Sequence, residues 1–311
     1  MPLSKQSFSF ITNRRYWYVY VGGVLLLLVS GYLWWSRVYL SPQRVFWSMV
    51  SNSLSTKGVT MEMTQASGDN KLTQYVQMEL GTTNKAHSLT SLKQGNTEVK
   101  TEVIGTPSAD YTRYRSIKTD QKNSQGKPLD VSKVLGIWSK SDDTQQTDTQ
   151  SSGHQLFAQS VLGIGLPVGS VPVPIGEVSA GQRNALLREM KSENVYNVSF
   201  KSKDVKKERK NGKLVYTYDA KIQTILYVRI MKEFAKDLGL HELDSVDPNS
   251  YQSAAPLSVK LTVDAYSREL VGVDSGQGFT QSYTGYGLPL NVEVPKNPIS
   301  TQQLQDLLGQ L

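Results

Sequence analysis

Seven basic side chains crowd one short stretch of this 311-residue chain: Lys201, Lys203, Lys206, Lys207, Arg209, Lys210 and Lys213, with only Asp204 and Glu208 against them. The chemistry such a run offers is attraction to an anionic surface: lipid headgroups, a teichoic-type polymer or an acidic partner. Asn211-Gly212 lies inside the run. Both residues tolerate positive φ, so the cluster maps to the tip of a β-hairpin. A plainer reading stands beside this one, in which the lysines only keep an edge strand from pairing with other chains.

Other residues with chemical potential form no working set. Ser124 and Lys127 have Ser-x-x-Lys spacing, but they sit in a polar loop before Pro128, without the rigid, desolvated setting a Ser–Lys nucleophile needs. His241-Glu242 lacks the second histidine of a zinc helix. Asp142, Asp143 and Asp148 lack the glycine and closing glutamate of a calcium loop. Gly163-Ile-Gly165 is not followed by a helix at dinucleotide-binding distance. There is no cysteine, and the three histidines (His87, His154 and His241) are far apart. The expectation is therefore no catalytic residue, no metal and no cofactor. A formal charge of +7, three of it from Lys5, Arg14 and Arg15, is too small a surplus to read as nucleic-acid binding.

The elements that position the basic run begin with an anchor. Residues 16–35 read YWYVYVGGVLLLLVSGYLWW, without a charge. At 1.5 Å per residue this spans roughly 30 Å, the thickness of a bilayer core. Tyr16, Trp17, Tyr18 and Tyr20 mark one end; Tyr32, Trp34 and Trp35 mark the other, as interfacial anchoring favours. Lys5, Arg14 and Arg15 before the span predict a cytoplasmic tail over residues 1–15 and an extracytoplasmic body after it. Val29-Ser30-Gly31 leaves a cleaved leader as the competing reading, against which stand bulky Leu33, Trp34 and Trp35.

Residues 36–41 read as a connector. Pro42 suits a first helical turn, and Val45, Phe46, Met49, Val50 and Leu54 recur at helical spacing. After Gly58 the period changes to two: Val59, Met61 and Met63; Val76, Met78 and Leu80; Val99 and Val103; then Tyr111 to Ile117. Short Gly/Asn turns between them predict an antiparallel meander. Residues 119–127 and 139–153 are polar and read as mobile loops. The uncharged Gly/Pro/Val segment 163–176 suits neither helix nor central strand. It reads as a lid, as a docking patch or as a segment packed on the sheet edge. Ser179 with Gln182 and Ser300 with Gln303 are capping boxes. Tyr196, Val198 and Phe200 read as one arm of the basic hairpin, and Leu214, Tyr216, Tyr218, Ala220 and Ile222 as the other. A helix carries Ile225 to Leu238 and stops at Gly239. Leu257 to Val263, Leu270 to Val273, and Leu290, Val292 and Val294 read as closing strands.

This order, with Val259-Lys-Leu-Thr-Val-Asp264 followed by Tyr283-Thr-Gly-Tyr-Gly-Leu-Pro-Leu-Asn-Val-Glu-Val-Pro295, resembles the outer-membrane-lipoprotein-sorting-factor-like superfamily, which includes LolA and the LppX/LprG-type lipoproteins. The resemblance implies an α+β domain over residues 42–311: a large, strongly curved antiparallel sheet, an incompletely closed barrel, covered by helices. It also implies acyl chains held between sheet and helices, although this chain has no cysteine to acylate and an apolar helix instead. If the sheet curves around a cavity, Val59, Met61, Met63, Val76, Met78, Leu80, Tyr216, Tyr218, Leu261 and Val263 line its inner side, the tyrosines supplying polar tips suited to an amphiphile. The expected function is a non-enzymatic, single-pass membrane-anchored domain, its bulk outside the cell membrane, that binds a hydrophobic ligand or envelope component. The alternative is an interaction module that docks an envelope protein or anionic polymer through the basic hairpin and the apolar Gly/Pro segment.

Overall fold

The computed structural model describes residues 14–81, 84–142, 156–163, 171–276 and 278–310. Asp143, Asp148, His154, Gly165 and most of the proposed tail lie outside them. The chain enters through α1 (Arg14–Trp34), which continues as a π-helical turn, Trp35–Tyr39. The expected connector at 36–41 is thus helical as far as Tyr39. The Trp35 and Tyr39 rings stack with centroids 4.3 Å apart across this turn. Only Leu40 and Ser41 break the helix. Ser41 is extended (φ −64°, ψ 137°), as the residue before a proline prefers, and Pro42 opens α2 (Pro42–Ser53).

The apolar side chains of α1 face outward: Trp17, Tyr18, Leu26, Leu27 and Tyr32 are more than 60 % exposed. A core helix would bury such a surface. Among the described residues this is the one helix long and apolar enough to cross a membrane.

The body is α+β. Five ten-residue strands form the expected meander: β1 (Gly58–Ser67), β2 (Asn70–Glu79), β3 (Lys85–Gln94), β4 (Thr97–Thr106) and β5 (Ala109–Lys118). A short strand β6 (Ser139–Asp142) pairs with β5. Residues 139–142, expected to be loop, are therefore strand. At a sheet margin the backbone ladder and the Ser139 hydroxyl bond to Thr112 O hold them despite their polarity. Helices α3 (Leu156–Leu162) and α4 (Ala180–Ser192) precede β7 (Tyr196–Val198), β8 (Lys206–Lys210) and β9 (Lys213–Ile222). Then come α5 (Thr224–Asp237), β10 (Leu257–Asp264), β11 (Leu270–Gly276), β12 (Phe279–Thr284), β13 (Ile299–Ser300) and α6 (Thr301–Leu308). Both expected capping boxes form, at Ser179/Gln182 and Ser300/Gln303.

All thirteen strands join one sheet, in the order β13-β6-β5-β4-β3-β2-β1-β12-β11-β10-β9-β7, with β8 also on β9. The sheet is not closed into a barrel. It is mixed rather than purely antiparallel, because β13 runs parallel to β6. The expected closing strand through Leu290, Val292 and Val294 does not form. Pro289 and Pro295 cannot donate to a ladder, and the chain instead straps across the back of β2, where Leu290 N donates to Glu79 Oε2 (3.2 Å) and Gln77 Nε2 to Pro289 O (3.4 Å). Helices α2 to α5 pack on the opposite face and share one apolar core with β1, β2, β9, β10 and β11.

Candidate functional site

Strand alternation places the ten expected inner-wall residues on one face. Val59 pairs with Met78 and Met61 with Val76; Tyr216 pairs with Val263 and Tyr218 with Leu261. The two groups belong to β1–β2 and β9–β10, and β12 and β11 join them, with Tyr283 opposite Met61. All ten side chains are at most 3 % exposed. A channel wide enough for an acyl chain would leave its lining open to a water-sized sphere. In this structure the space is taken by Val45, Phe46, Met49 and Val50 of α2, by Leu54 just after it, by α3 and by α5. Phe46 is at the centre, its ring 5.3–5.6 Å from those of Trp47, Tyr196, Phe200 and Tyr218.

The tyrosine tips have partners in the chain itself. Tyr216 OH donates to Leu40 O (3.0 Å) and Tyr218 OH to Pro42 O (2.9 Å). Burial raises the pKa of both phenols. The residues just after the apolar helix are thereby tied to β9. A third tie comes from Arg268, in the β10–β11 turn. Its Nη2 donates to Tyr39 O (2.6 Å), and its guanidinium lies 4.5 Å from the Tyr39 ring centre. Nothing in the local pattern around Arg268 marks it for this role: it is one charge beside another, Glu269, in a short turn.

The Gly/Pro/Val segment divides. Residues 164–170 lie outside the described part. Val171 to Gly176 are buried, so this portion offers no docking patch. Its backbone is zipped to the end of α2: Gly176 N donates to Ser53 O, Thr56 N to Gly176 O and Val178 N to Leu54 O. Tyr196 OH donates to Pro172 O and Tyr227 OH to Val171 O. A Cβ on Gly176 would come within 2.7 Å of Phe234, which explains the glycine.

The basic run forms the expected turn, with Asn211 at φ 51° and Gly212 at φ 79°, but its arms differ from expectation. The hairpin partner of β9 is β8, while Tyr196 to Val198 is a separate strand on the far part of the same edge. All seven basic residues are exposed. Lys206 pairs with Glu208 (2.7 Å) and Lys213 with the buried Asp264 (3.6 Å), and Lys207 Nζ lies 5.0 Å from the Tyr216 ring centre. Lys201, Lys203, Arg209 and Lys210 make no ion pair among the described residues. The cluster is thus a largely uncompensated cationic surface.

A second ionic cluster escaped the sequence reading because its members lie on different strands. Glu102 of β4, 7 % exposed, accepts from Arg113 Nη2 (2.7 Å) and Nε (2.9 Å) and contacts His87 Nε2 (2.9 Å). Arg113 stacks 4.5 Å from the Trp138 ring centre. Burial pushes the Glu102 carboxyl up, but the bonds from Arg113 and His87 outweigh it and hold the carboxyl below its ordinary 4.5. A lowered folded-state pKa contributes stability above pH 4.5 that disappears as pH falls through the folded value. Glu102→Gln is therefore expected to lower the melting temperature at neutral pH, with the gap to wild type closing in acid. A gap of equal size at pH 7 and in strong acid would show that the carboxylate's charge plays no part.

No cluster of three metal-ligating side chains occurs among the described residues. Ser124 and Lys127 are exposed, and His241 is an exposed side chain paired with Asp244 (2.9 Å). No protein-family model matches the chain, and no curated protein sequence matches it.

Proposed function

We propose that this chain is a non-enzymatic, membrane-anchored interaction domain that works through its surface. In this reading α1 is a retained span, and the positive charges before it place the N-terminus in the cytoplasm and the body outside. The body then engages an anionic component of the envelope through the basic hairpin. The observation that carries the reading is the filled face beneath α2, α3 and α5, which leaves the hairpin, rather than an interior cavity, as the exposed feature with chemistry to offer. An open sheet with helices on one face also accords with the sorting-factor-like resemblance, read here as shared architecture without an acyl cargo.

Residues 36–311, freed of the span, should stay soluble and folded by circular dichroism. Native mass spectrometry should give the mass of bare polypeptide, and binding to anionic surfaces should weaken with salt. A stoichiometric acyl-chain adduct would restore the carrier reading. Binding indifferent to reversal of the hairpin charges would remove the basis for a surface role.

A further inference from the structure

The contacts that seat the anchor on the body run in register. Tyr39 O meets Arg268, Leu40 O meets Tyr216, and Pro42 O meets Tyr218. As the chain leaves the apolar helix, β9 runs alongside it in the same direction. Followed backwards from Tyr216, β9 heads toward the anchor. It reaches its first residue, Lys213, about 10 Å further on at roughly 3.3 Å per residue, and the Asn211-Gly212 turn follows. The β10–β11 turn lies at the same level, since Ala265 N donates to Leu214 O. The end of the sheet nearest the anchor therefore carries Arg209, Lys210 and Lys213. Two exposed apolar side chains share this end: Tyr266 (47 %) in the β10–β11 turn, and Leu288 (56 %) just after β12. A cleft of about 850 Å³ opens between hairpin and strap; Lys210 and Lys213 line it on the hairpin side, with Thr262, Ser282 and Thr284, and the carboxylates of Glu62 and Glu269 also stand in its wall.

We infer that this end of the sheet is a second membrane contact, in which the hairpin tip and adjoining cleft take anionic phospholipid headgroups of the bilayer that the chain's own helix spans. The inference rests on the proposed function and names its anionic partner. Lysine and arginine ammonium and guanidinium groups attract phosphate, and the cleft's hydroxyls donate to phosphate oxygens. Tyr266 and Leu288 favour lipid over a hydrophilic polymer, because aromatic and aliphatic side chains gain by entering the headgroup boundary and gain little against a solvated chain. The anchor holds the two surfaces together, so a weak contact per residue is enough.

The chain has no cysteine, so Ser267→Cys gives a single labelling site in the exposed β10–β11 turn, and Asp69→Cys gives one at the opposite end of the sheet. Full-length protein carrying either label is placed in nanodiscs of zwitterionic lipid, with or without anionic phospholipid, and probed with a water-soluble quencher. The label at 267 should be protected only in the anionic discs, the label at 69 in neither. Salt of about 1 M, which cuts the screening length to roughly 3 Å, should restore quenching. Arg209→Glu with Lys210→Glu should abolish protection, each lost charge weakening the contact about fivefold. Arg209→Gln with Lys210→Gln, a milder change to the fold, should weaken it in the same direction. Lys201→Glu with Lys203→Glu makes the same change in net charge beyond the other end of β8, away from the anchor, and should leave protection in place.

Equal quenching at 267 in both kinds of disc overturns the inference. So does an equal effect of the two glutamate double variants, which would mean general charge attraction. Protection by a soluble anionic polymer in zwitterionic discs, with none from anionic lipid, overturns it as well, and in that case the proposed surface function stands.

Discussion

Met78→Glu is expected to cost about 3–5 kcal/mol, the penalty for an uncompensated buried charge. Met78 is 0 % exposed and pairs across β1–β2 with Val59, in the core that α2 and α3 complete. Domains of ordinary stability have roughly 5–15 kcal/mol in all, so the variant should populate unfolded states at moderate temperature. Met78→Leu, nearly equal in volume, should cost less than about 1.5 kcal/mol. Thermal unfolding of the three proteins separates a packed face from an open one. A Met78→Glu protein with a wild-type melting temperature would mean that the face can hydrate the carboxylate, and a cavity there would be back in contention.

The second large effect is expected at Phe46. Its ring contacts four others, from α2, the chain following β7, β7 itself and β9. Phe46→Ala removes this hub and leaves a void that helix and sheet cannot both close, at a cost of about 3–5 kcal/mol. Phe46→Leu keeps much of the volume and should cost clearly less. In urea the alanine variant should shift the midpoint with little change of slope, since the surface exposed on unfolding is nearly the same. A loss below about 1 kcal/mol would show that the ring cluster is loosely packed and that α2 is held to the sheet by other contacts. Such a result would also weaken the register argument for the hairpin, because α2 follows directly from the residues tied to Tyr216 and Tyr218.

Local order was legible in the residues themselves. The uncharged run from Tyr16 to Trp35 specifies a long apolar helix, because a stretch without polar interruption has no face to turn to water. The meander β1–β5 follows from period-two alternation and its Gly/Asn turns. The two capping boxes, the Asn211-Gly212 turn and the stop at Gly239 each follow from chemistry within a few residues. What lay beyond reach was pairing over distance. β12 carries only a weak strand signal of its own, since Gln281 interrupts the apolar alternation of Phe279 and Tyr283. Yet β12 pairs with β1, Thr60 opposite Thr284, and unites the two halves of the sheet. Alternation says that a strand has a buried face, not which strand lies beside it or what covers it. For the same reason tertiary structure alone decided three features of the architecture. It packed α2 against the expected inner wall, buried residues 171–176 against the end of that helix, and tied the residues after the apolar helix to the strand that carries the basic hairpin. Each outcome depends on contacts between residues more than a hundred positions apart, such as Tyr216 with Leu40, where the free energy of packing is summed over the whole core and no local pattern records it.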